Sequence, residues 1–430
     1  MIRLSSSQAD FAERFTELVE ARRGSDADVA RDVAAILARV RAEGDAAVAD
    51  LTQRFDGHDL DATGWRIEPA ECAAALDGLD PELRAALTLA HDRITAWHER
   101  QRPVDTDVTD DVGARLGARW SAVEAAGLYV PGGRAAYPSS VLMNAVPARV
   151  AGVERLVVVT PTPGGQANPL VLAAAALAGV DEVWRVGGAQ AVGALAYGTA
   201  RIAPVDVVTG PGNAWVAEAK RQVAGRVGID MIAGPSEIVV VADGLNEPAH
   251  IAADLMSQSE HDPTSQSILL TDDALFADAV VAAVEDVIAK LATRAVMRAA
   301  WDTHGAVLVL GSLGEAPALI DRLAPEHLQL AVEAPRALFD RVRHAGSVFL
   351  GQHTPEAVGD YVAGPNHVLP TGRRARFSSG LGVSDFMKRT SVLELDARAL
   401  AAIGPAAVAL ATAEGLPAHA LSVAQRLHTS

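Results

Sequence analysis

Several stretches of the sequence carry side chains able to hold a metal or move a proton. Gln258 and His261 lie three apart at the end of a stretch that reads as a helix over 246–260. That spacing puts both on one helix face, where an amide oxygen and an imidazole could ligate a zinc-type ion. Alone, His261 reads first as a helix-end residue interacting with the dipole. Glu260 points elsewhere on that helix and reads as solvated. No HExxH motif is present. Pro325-Glu326-His327 places a carboxylate beside an imidazole after a proline-fixed turn. Histidine titrates near neutrality, so His327 is a natural general base, and Glu326 could activate water or orient the ring. The dipeptide by itself also reads as an ordinary surface pair.

Asp360 sits in Val358-Gly-Asp-Tyr361, shortly before Gly364-Pro-Asn-His367. A long irregular segment inside a compact enzyme is often functional, although a solvent loop has the same composition. Glu414 and His419 flank the start of the last helix. A protonated His419 there would oppose the helix dipole, which favours a neutral, ligand-type imidazole over a surface one.

Glycine-rich turns form a second group. Gly210-Pro-Gly212-Asn213 follows an apolar strand and opens a helix. Backbone N–H groups at such a helix start can face a phosphate or dinucleotide. The third glycine of G-x-G-x-x-G is replaced by Trp215, so the turn also reads as a plain strand-to-helix connection. Gly187-Gly188-Ala189-Gln190 is equally ambiguous. With Gly127-Leu-Tyr129-Val-Pro-Gly-Gly133, these turns could line one crevice.

These residues need elements to position them. The first hundred residues read as helices, among them 28–41, with Val29, Val33, Ile36, Leu37 and Val40 on one stripe. Ser25 or Asp26 is its expected N-cap and Gly44 its stop. A further helix opens at Pro81-Glu82 and runs towards Gln101. In the middle of the chain, 155–160, 182–186 and 205–209 are short β-branched runs, each followed by a turn and helical sequence. Such units in series predict a parallel sheet with crossover helices, in which ligands bind beyond the carboxyl ends of the strands. A second α/β region starts near Glu237, with strand candidates at 237–241, 267–271, 306–310 and 347–350. The last fifty residues read as mostly helical.

Length and composition set the frame. A chain of 430 residues corresponds to about three domains or subdomains. Half of the residues are hydrophobic, enough for a large core and against disorder. The formal charge is 37 − 54 = −17, which argues against nucleic acid or an anionic membrane as a partner. The lone Cys72 excludes a disulfide framework and cysteine-bound zinc. The N-terminus lacks the long apolar core of a signal peptide. The apolar runs 169–180 and 399–413 read as buried helices, not membrane spans, which leaves a cytoplasmic protein as the expectation.

Taken together, the chain resembles the histidinol dehydrogenase family from about residue 25 to 428. The resembling segments are Gly127-Leu-Tyr-Val-Pro-Gly-Gly133, Tyr137-Pro-Ser-Ser-Val-Leu-Met-Asn-Ala145, Val186-Gly-Gly-Ala-Gln190 and Gly210-Pro-Gly-Asn213. They continue with Ala233-Gly-Pro-Ser-Glu237, Asp254-Leu-Met-Ser-Gln-Ser-Glu-His261, Gly346-Ser-Val-Phe-Leu-Gly351 and Asn366-His-Val-Leu-Pro-Thr371. The resemblance implies two Rossmann-like parallel-sheet α/β domains with small helical terminal segments. The implied division is an N-terminal helical segment at 1–24, a first α/β domain at 25–110 and 237–381, an NAD-binding α/β domain at 111–236, and a C-terminal helical segment at 382–430. It implies Gln258, His261, Asp360 and His419 as ligands of one Zn²⁺ per subunit, and Glu326 and His327 as the catalytic pair. Ser236 and Glu414 would contact substrate alongside His327 and the metal ligands. Tyr129, Gln190 and Asn213 would contact NAD.

The implied activity is oxidation of L-histidinol to L-histidine by two NAD⁺, with the substrate's amino and imidazole nitrogens on the metal. His327 would act as base, and Glu326 would activate water for the aldehyde step. The family's C-terminal segment crosses to a partner, so Glu414 and His419 would complete the other subunit's site in a homodimer. Other readings are a zinc and NAD-dependent dehydrogenase of another small alcohol, such as one resembling sulfopropanediol dehydrogenase, a zinc hydrolase using Glu326, or a non-catalytic binding protein. Cys72 lies far from every matched motif and is expected to pack as a small hydrophobe, so the aldehyde would react as its hydrate.

Overall fold

The computed structural model describes residues 1–21, 27–132, 137–232 and 234–427. Their strands are β1 (Ile2–Ser5), β2 (Arg66–Ile67), β3 (Thr106–Thr109), β4 (Arg115–Ala122), β5 (Ala125–Tyr129), β6 (Arg155–Val159), β7 (Glu182–Trp184), β8 (Val207–Thr209), β9 (Gly228–Ile229), β10 (Glu237–Ala242), β11 (Gln266–Thr271), β12 (Ala306–Val309), β13 (His327–Ala331), β14 (Ser347–Leu350) and β15 (Met387–Glu394). They form two six-stranded sheets and one three-stranded sheet.

The first sheet runs β1-β12-β11-β10-β13-β14, with every pair parallel. Alternate side chains point to opposite faces of a strand. Ile238, Val240, Leu269 and Val307 therefore meet Ile251, Leu255, Phe276 and Trp301 of the helices Pro248–Ser259, Ala274–Lys290 and Arg294–His304. Val239, Val241, Leu270 and Leu328 meet Phe15, Leu18 and Ile320 of the helices Phe11–Glu20 and Ala316–Leu323. Each such aliphatic side chain contributes roughly 1.5–3 kcal/mol when fully buried, which explains why these strands are continuous apolar runs.

The second sheet runs β2-β7-β6-β5-β8-β9, parallel except for the antiparallel edge pair of β2 with β7. One face packs on the helices Pro69–Asp77, Pro81–Glu99, Pro138–Ala151 and Pro169–Leu177. The other packs on Ala27–Glu43, Asp45–Asp56, Gly188–Tyr197 and Ala214–Val223. The strand order reverses between β10 and β13 in the first sheet and between β5 and β8 in the second.

The α/β class and the parallel sheets agree with the sequence reading, but the partition of the chain differs. The helices within 27–99 cover the second sheet, not the first, because the Val33, Leu37 and Val40 stripe packs with Val192 and Leu195. The expected grouping of 25–110 with 237–381 is corrected accordingly. The N-terminus is not only helical: β1 pairs with β12 and joins the first sheet. The C-terminal segment is not only helical either. β15 pairs antiparallel with β4, and β4 with β3, giving a third sheet that was not foreseen. β13 also went unrecognised. The expected cap at Ser25 or Asp26 lies outside the described residues, as do Gly133 and Ala233.

The helices Ala397–Ala413 and Pro417–Leu427 pack on each other, with Gly404 allowing close approach of Val423 and Leu427. The first continues through Gly404-Pro405. It was expected to be buried, yet only Ala399 and Gly404 are, and Leu410 (65% exposed) and Leu421 (56%) face outwards.

Candidate active site where the two large sheets meet

The Glu326-His327 pair stands at the amino end of β13. Its neighbour β10 begins with Glu237, whose backbone holds both side chains. The Glu237 N–H donates to Glu326 Oε2 at 2.9 Å, and His327 Nδ1 lies 3.1 Å from the Glu237 carbonyl. A carbonyl only accepts, so Nδ1 carries the proton and Nε2 keeps a free lone pair. The Phe349 ring, 6.2 Å away between centroids, flanks the imidazole. Burial brings the His327 pKa down to about 4, so the ring is neutral. Burial also pushes the Glu326 carboxyl well above the usual carboxylate range, and the charges of Glu237, Asp360 and Glu356 add to this.

His327 Nε2 looks onto the helix Glu356–Tyr361, with Glu356 Oε1 at 3.5 Å. Glu356 and Asp360 are four apart and so share a helix face. The ligating atoms of His327, Glu356 and Asp360 all lie within 4.8 Å of one another. His261 Nε2 lies 3.9 Å from Asp360 Oδ2. His367 Nδ1 donates to the Asp360 carbonyl at 3.0 Å, and burial lowers its pKa. On the helix Pro248–Ser259, Ser257 Oγ donates to Glu356 Oε2 at 3.3 Å, and the next residue is Gln258, which is buried. Burial, then the Asp360 charge, raises Glu356 to about 8.

His261 and Asp360, from separate positions in the sequence, thus meet in one polar cluster, and buried Gln258 lies on the helix beside it, next to Ser257. His327 Nε2 and Glu356 Oε1 in the cluster, and Gln258 Oε1 on the neighbouring helix, are buried without a hydrogen-bond partner. Unpaired buried acceptors are costly unless something completes them. The donor set of amide oxygen, imidazole nitrogen and carboxylate oxygen suits zinc. Glu414 and His419 are different. Both are exposed on the C-terminal helix pair, and among the described residues no hydrogen bond or ion pair joins them to the cluster.

The glycine turns sit at the carboxyl end of the second sheet. Tyr129 ends β5, and its hydroxyl accepts the Gly188 N–H at 3.1 Å. Gly188 has φ +64°, and a Cβ there would press on the Gln190 side chain. Gln190 is buried with Oε1 unpartnered. Burial lifts the Tyr129 phenol to about 12, so it stays protonated. Asn213 caps the helix Ala214–Val223 through Oδ1, accepting from the N–H groups of Trp215 and Val216. A cavity of about 140 Å³ joins the two halves, bordered by Gly210, Gly212, Ser236, Glu326 and His367. It links the strand reversal of the second sheet to the amino end of β13. The arrangement can remove a proton from a bound hydroxyl group at a neutral imidazole, beside an N/O metal cluster and a dinucleotide-type turn.

Sequence reasoning missed Glu356, Ser257 and His367 as parts of the cluster. The four-residue spacing of Glu356 to Asp360 is a weak signal that could have found the first. His367 lies inside the Asn366–Thr371 motif, whose sequence alone gives it no role.

Comparison with known proteins agrees with this picture. The histidinol dehydrogenase family model matches residues 19–427. A histidinol dehydrogenase of Zymomonas mobilis subsp. mobilis is 63% identical over 428 residues, covering 100% of both chains. One from Rhodospirillum rubrum is 62% identical over 428 residues, covering 99% of both. The crystal structure of a histidinol dehydrogenase from Elizabethkingia anophelis superposes with a TM-score of 0.94 at 34% identity, over 99% of this chain and 98% of that one.

Proposed function

The chain belongs to the histidinol dehydrogenase family, and from that premise we propose how its residues divide the work. It is an NAD-dependent oxidoreductase of histidine biosynthesis that uses Zn²⁺ and oxidises L-histidinol to L-histidine in four electrons. Relatives at 63% and 62% identity over the full length leave no support for a sulfopropanediol-type dehydrogenase or a zinc hydrolase.

The single observation carrying the assignment of roles is the free Nε2 of a neutral His327, fixed by the Glu237 carbonyl. His327 takes the alcohol proton at Nε2 as hydride passes from the carbinol carbon to NAD⁺. The product is the aldehyde. Glu326, once ionised, is a stronger base than an ordinary carboxylate, because its surroundings disfavour the charge. It takes a proton from water that adds to the aldehyde, while His327 returns the alcohol proton to the aldehyde oxygen, which completes the hydrate and frees Nε2 again. His327 then deprotonates the hydrate, a second hydride leaves, and the carboxylate forms.

Gln258, His261 and Asp360 would hold zinc, with His419 as the fourth ligand. Bound zinc supplies a fixed positive template for the substrate's nitrogens. Ser236, Gln258, His261, His327, Asp360, Glu414 and His419 contact the substrate in this reading. Tyr129, Gln190 and Asn213 contact NAD. The exposed positions of Glu414 and His419, on helices that leave Leu410 and Leu421 uncovered, favour a homodimer in which each C-terminal segment completes the partner's site. Among the described residues no helix is long and apolar enough to cross a membrane. A cytoplasmic location belongs to the same proposal.

The test is stoichiometry. Protein incubated with L-histidinol, NAD⁺ and Zn²⁺ should yield two NADH per histidine. One NADH with released aldehyde would overturn the two-step assignment.

A further inference from the structure

Beneath the Gly210–Asn213 turn lies an ion pair that the reaction scheme does not use. Lys220, on the helix Ala214–Val223, is 1% exposed and pairs with Asp230, whose side chain is wholly buried. Both partners also bind Gly210. Lys220 Nζ donates to the Gly210 carbonyl at 2.8 Å, and Asp230 Oδ2 accepts the Gly210 N–H at 2.9 Å. Asp230 Oδ1 further accepts the Met231 N–H at 2.6 Å. The pair thus grips both polar groups of one residue and the first residue of the segment leading to Ser236.

Gly210 is where that grip matters. It has φ +113°, and a Cβ there would overlap the Tyr129 carbonyl. The residue directly follows β8 and abuts the Tyr129 backbone of β5, and these are the two strands at which the sheet order reverses. Lys220 and Asp230 themselves border the cavity that reaches Glu326. A buried ion pair adds little net stability over an apolar pair of equal volume. It does fix geometry, because charge-assisted hydrogen bonds are short and directional.

We propose that the Lys220–Asp230 pair is a positioning device for dinucleotide binding. It clamps Gly210 from both sides and so sets the orientation of the Pro211–Asn213 peptides that the dinucleotide meets. The proposal rests on the reading that the Asn213 turn contacts NAD.

The experiment measures NAD⁺ and histidinol affinities separately by calorimetry on zinc-loaded protein, with thermal unfolding and zinc content alongside. The informative variant is the double Lys220→Met/Asp230→Asn, which leaves no unpaired buried charge. NAD⁺ binding should weaken about tenfold or more, the scale of one charge-assisted hydrogen bond, while histidinol affinity and zinc stay within about twofold. A purely structural role would lower the unfolding temperature and leave NAD⁺ affinity unchanged, and that result overturns the proposal. Equal weakening towards both ligands overturns it too. If the double variant does not fold, Lys220→Arg keeps the charge but displaces the donor from the Gly210 carbonyl, and the same outcomes apply. Asn213→Ala separates the two levels. If it leaves NAD⁺ affinity intact, the underlying reading of the turn fails. If it weakens NAD⁺ while the clamp variants do not, the clamp alone fails.

Discussion

Glu326→Gln should separate the two oxidations. Burial pushes the Glu326 carboxyl upward and so disfavours its charge, and glutamine matches it closely in volume. The Gln amide oxygen can accept the Glu237 N–H that Glu326 Oε2 accepts at 2.9 Å. The folding cost should therefore be about 1 kcal/mol or less, or about 2–4 °C in unfolding temperature for a domain of this order of size. What glutamine cannot do is ionise. Losing a general base typically costs about 10²–10⁴ in rate, or about 3–5 kcal/mol of barrier. That loss should fall on hydration of the aldehyde. His327 keeps its own anchor on the Glu237 carbonyl, so the alcohol step should change little. Rapid mixing of excess enzyme with histidinol and saturating NAD⁺ resolves the steps through NADH absorbance. Wild type should form two NADH per histidinol. The variant should form the first in a fast phase and the second about 10²–10⁴ times more slowly, with aldehyde trappable by semicarbazide. Equal slowing of both phases would assign Glu326 to both steps. An unchanged second phase would remove it from catalysis.

Two further outcomes follow from the same geometry. Co-expressed His419→Ala and Glu326→Ala/His327→Ala subunits should regain activity in purified heterodimers, with one intact site in each. No recovery would mean that the C-terminal segments do not cross. His98 is fully buried, its Nδ1 beside the Ile94 carbonyl at 2.8 Å, and burial lowers its pKa. The folded state then binds its proton less readily than the unfolded chain. Its contribution is complete above the unfolded pKa of about 6.5 and is lost as pH falls below it towards the folded value. Urea melts should show stability dropping below about pH 6.5, and His98→Gln should flatten that slope by up to about 1.4 kcal/mol per pH unit. An unchanged slope would refute the assignment.

What the sequence made legible follows from how each signal is encoded. β6, β10 and β11 are buried on both faces, so their β-branched runs stand out. β13 reads His-Leu-Gln-Leu-Ala, an alternation masked by the preceding proline turn and by the polar His327 and Gln329. Those two side chains point to the face that carries Gln258, and Gln329 donates to Asp254 there at 2.7 Å. β15 is almost wholly exposed, so it has no apolar pattern, and only its pairing with β4 makes it a strand. β1 is four residues long, shorter than any periodicity argument can use. The residues proposed as ligands and as the acid–base pair were legible through family motifs. Glu356 was not, since its role comes from standing 3.5 Å from His327 Nε2. Lys220 and Asp230 are ten apart, across a turn and a strand, and no local pattern links them. Cys72 is packed with Ile67 and Ala75 under the second sheet, and burial raises its thiol pKa, so it offers no thiolate for an aldehyde adduct.

The two large sheets obey different rules at one site. Ligands of open parallel sheets gather beyond the carboxyl ends, where strand order reverses. The second sheet complies, with Tyr129 and Gly210 at the reversal. The first sheet does not. At its own reversal, beyond β10 and β13, the Asp243 carboxylate is taken up by the N–H groups of Leu245 and Glu333. The proposed catalytic pair, Glu326 and His327, instead stands at the opposite end. The reason is local: one strand-opening residue, Glu237, offers an N–H and a carbonyl that a carboxyl and an imidazole need in order to be held in fixed orientations. The N–H gives Glu326 an anchored oxygen, and the carbonyl selects the His327 tautomer that leaves the Nε2 lone pair free. A strand's amino end can thus build an acid–base pair without any helix dipole. It leaves the carboxyl end of the other sheet, across the shared cavity, for the proposed dinucleotide site.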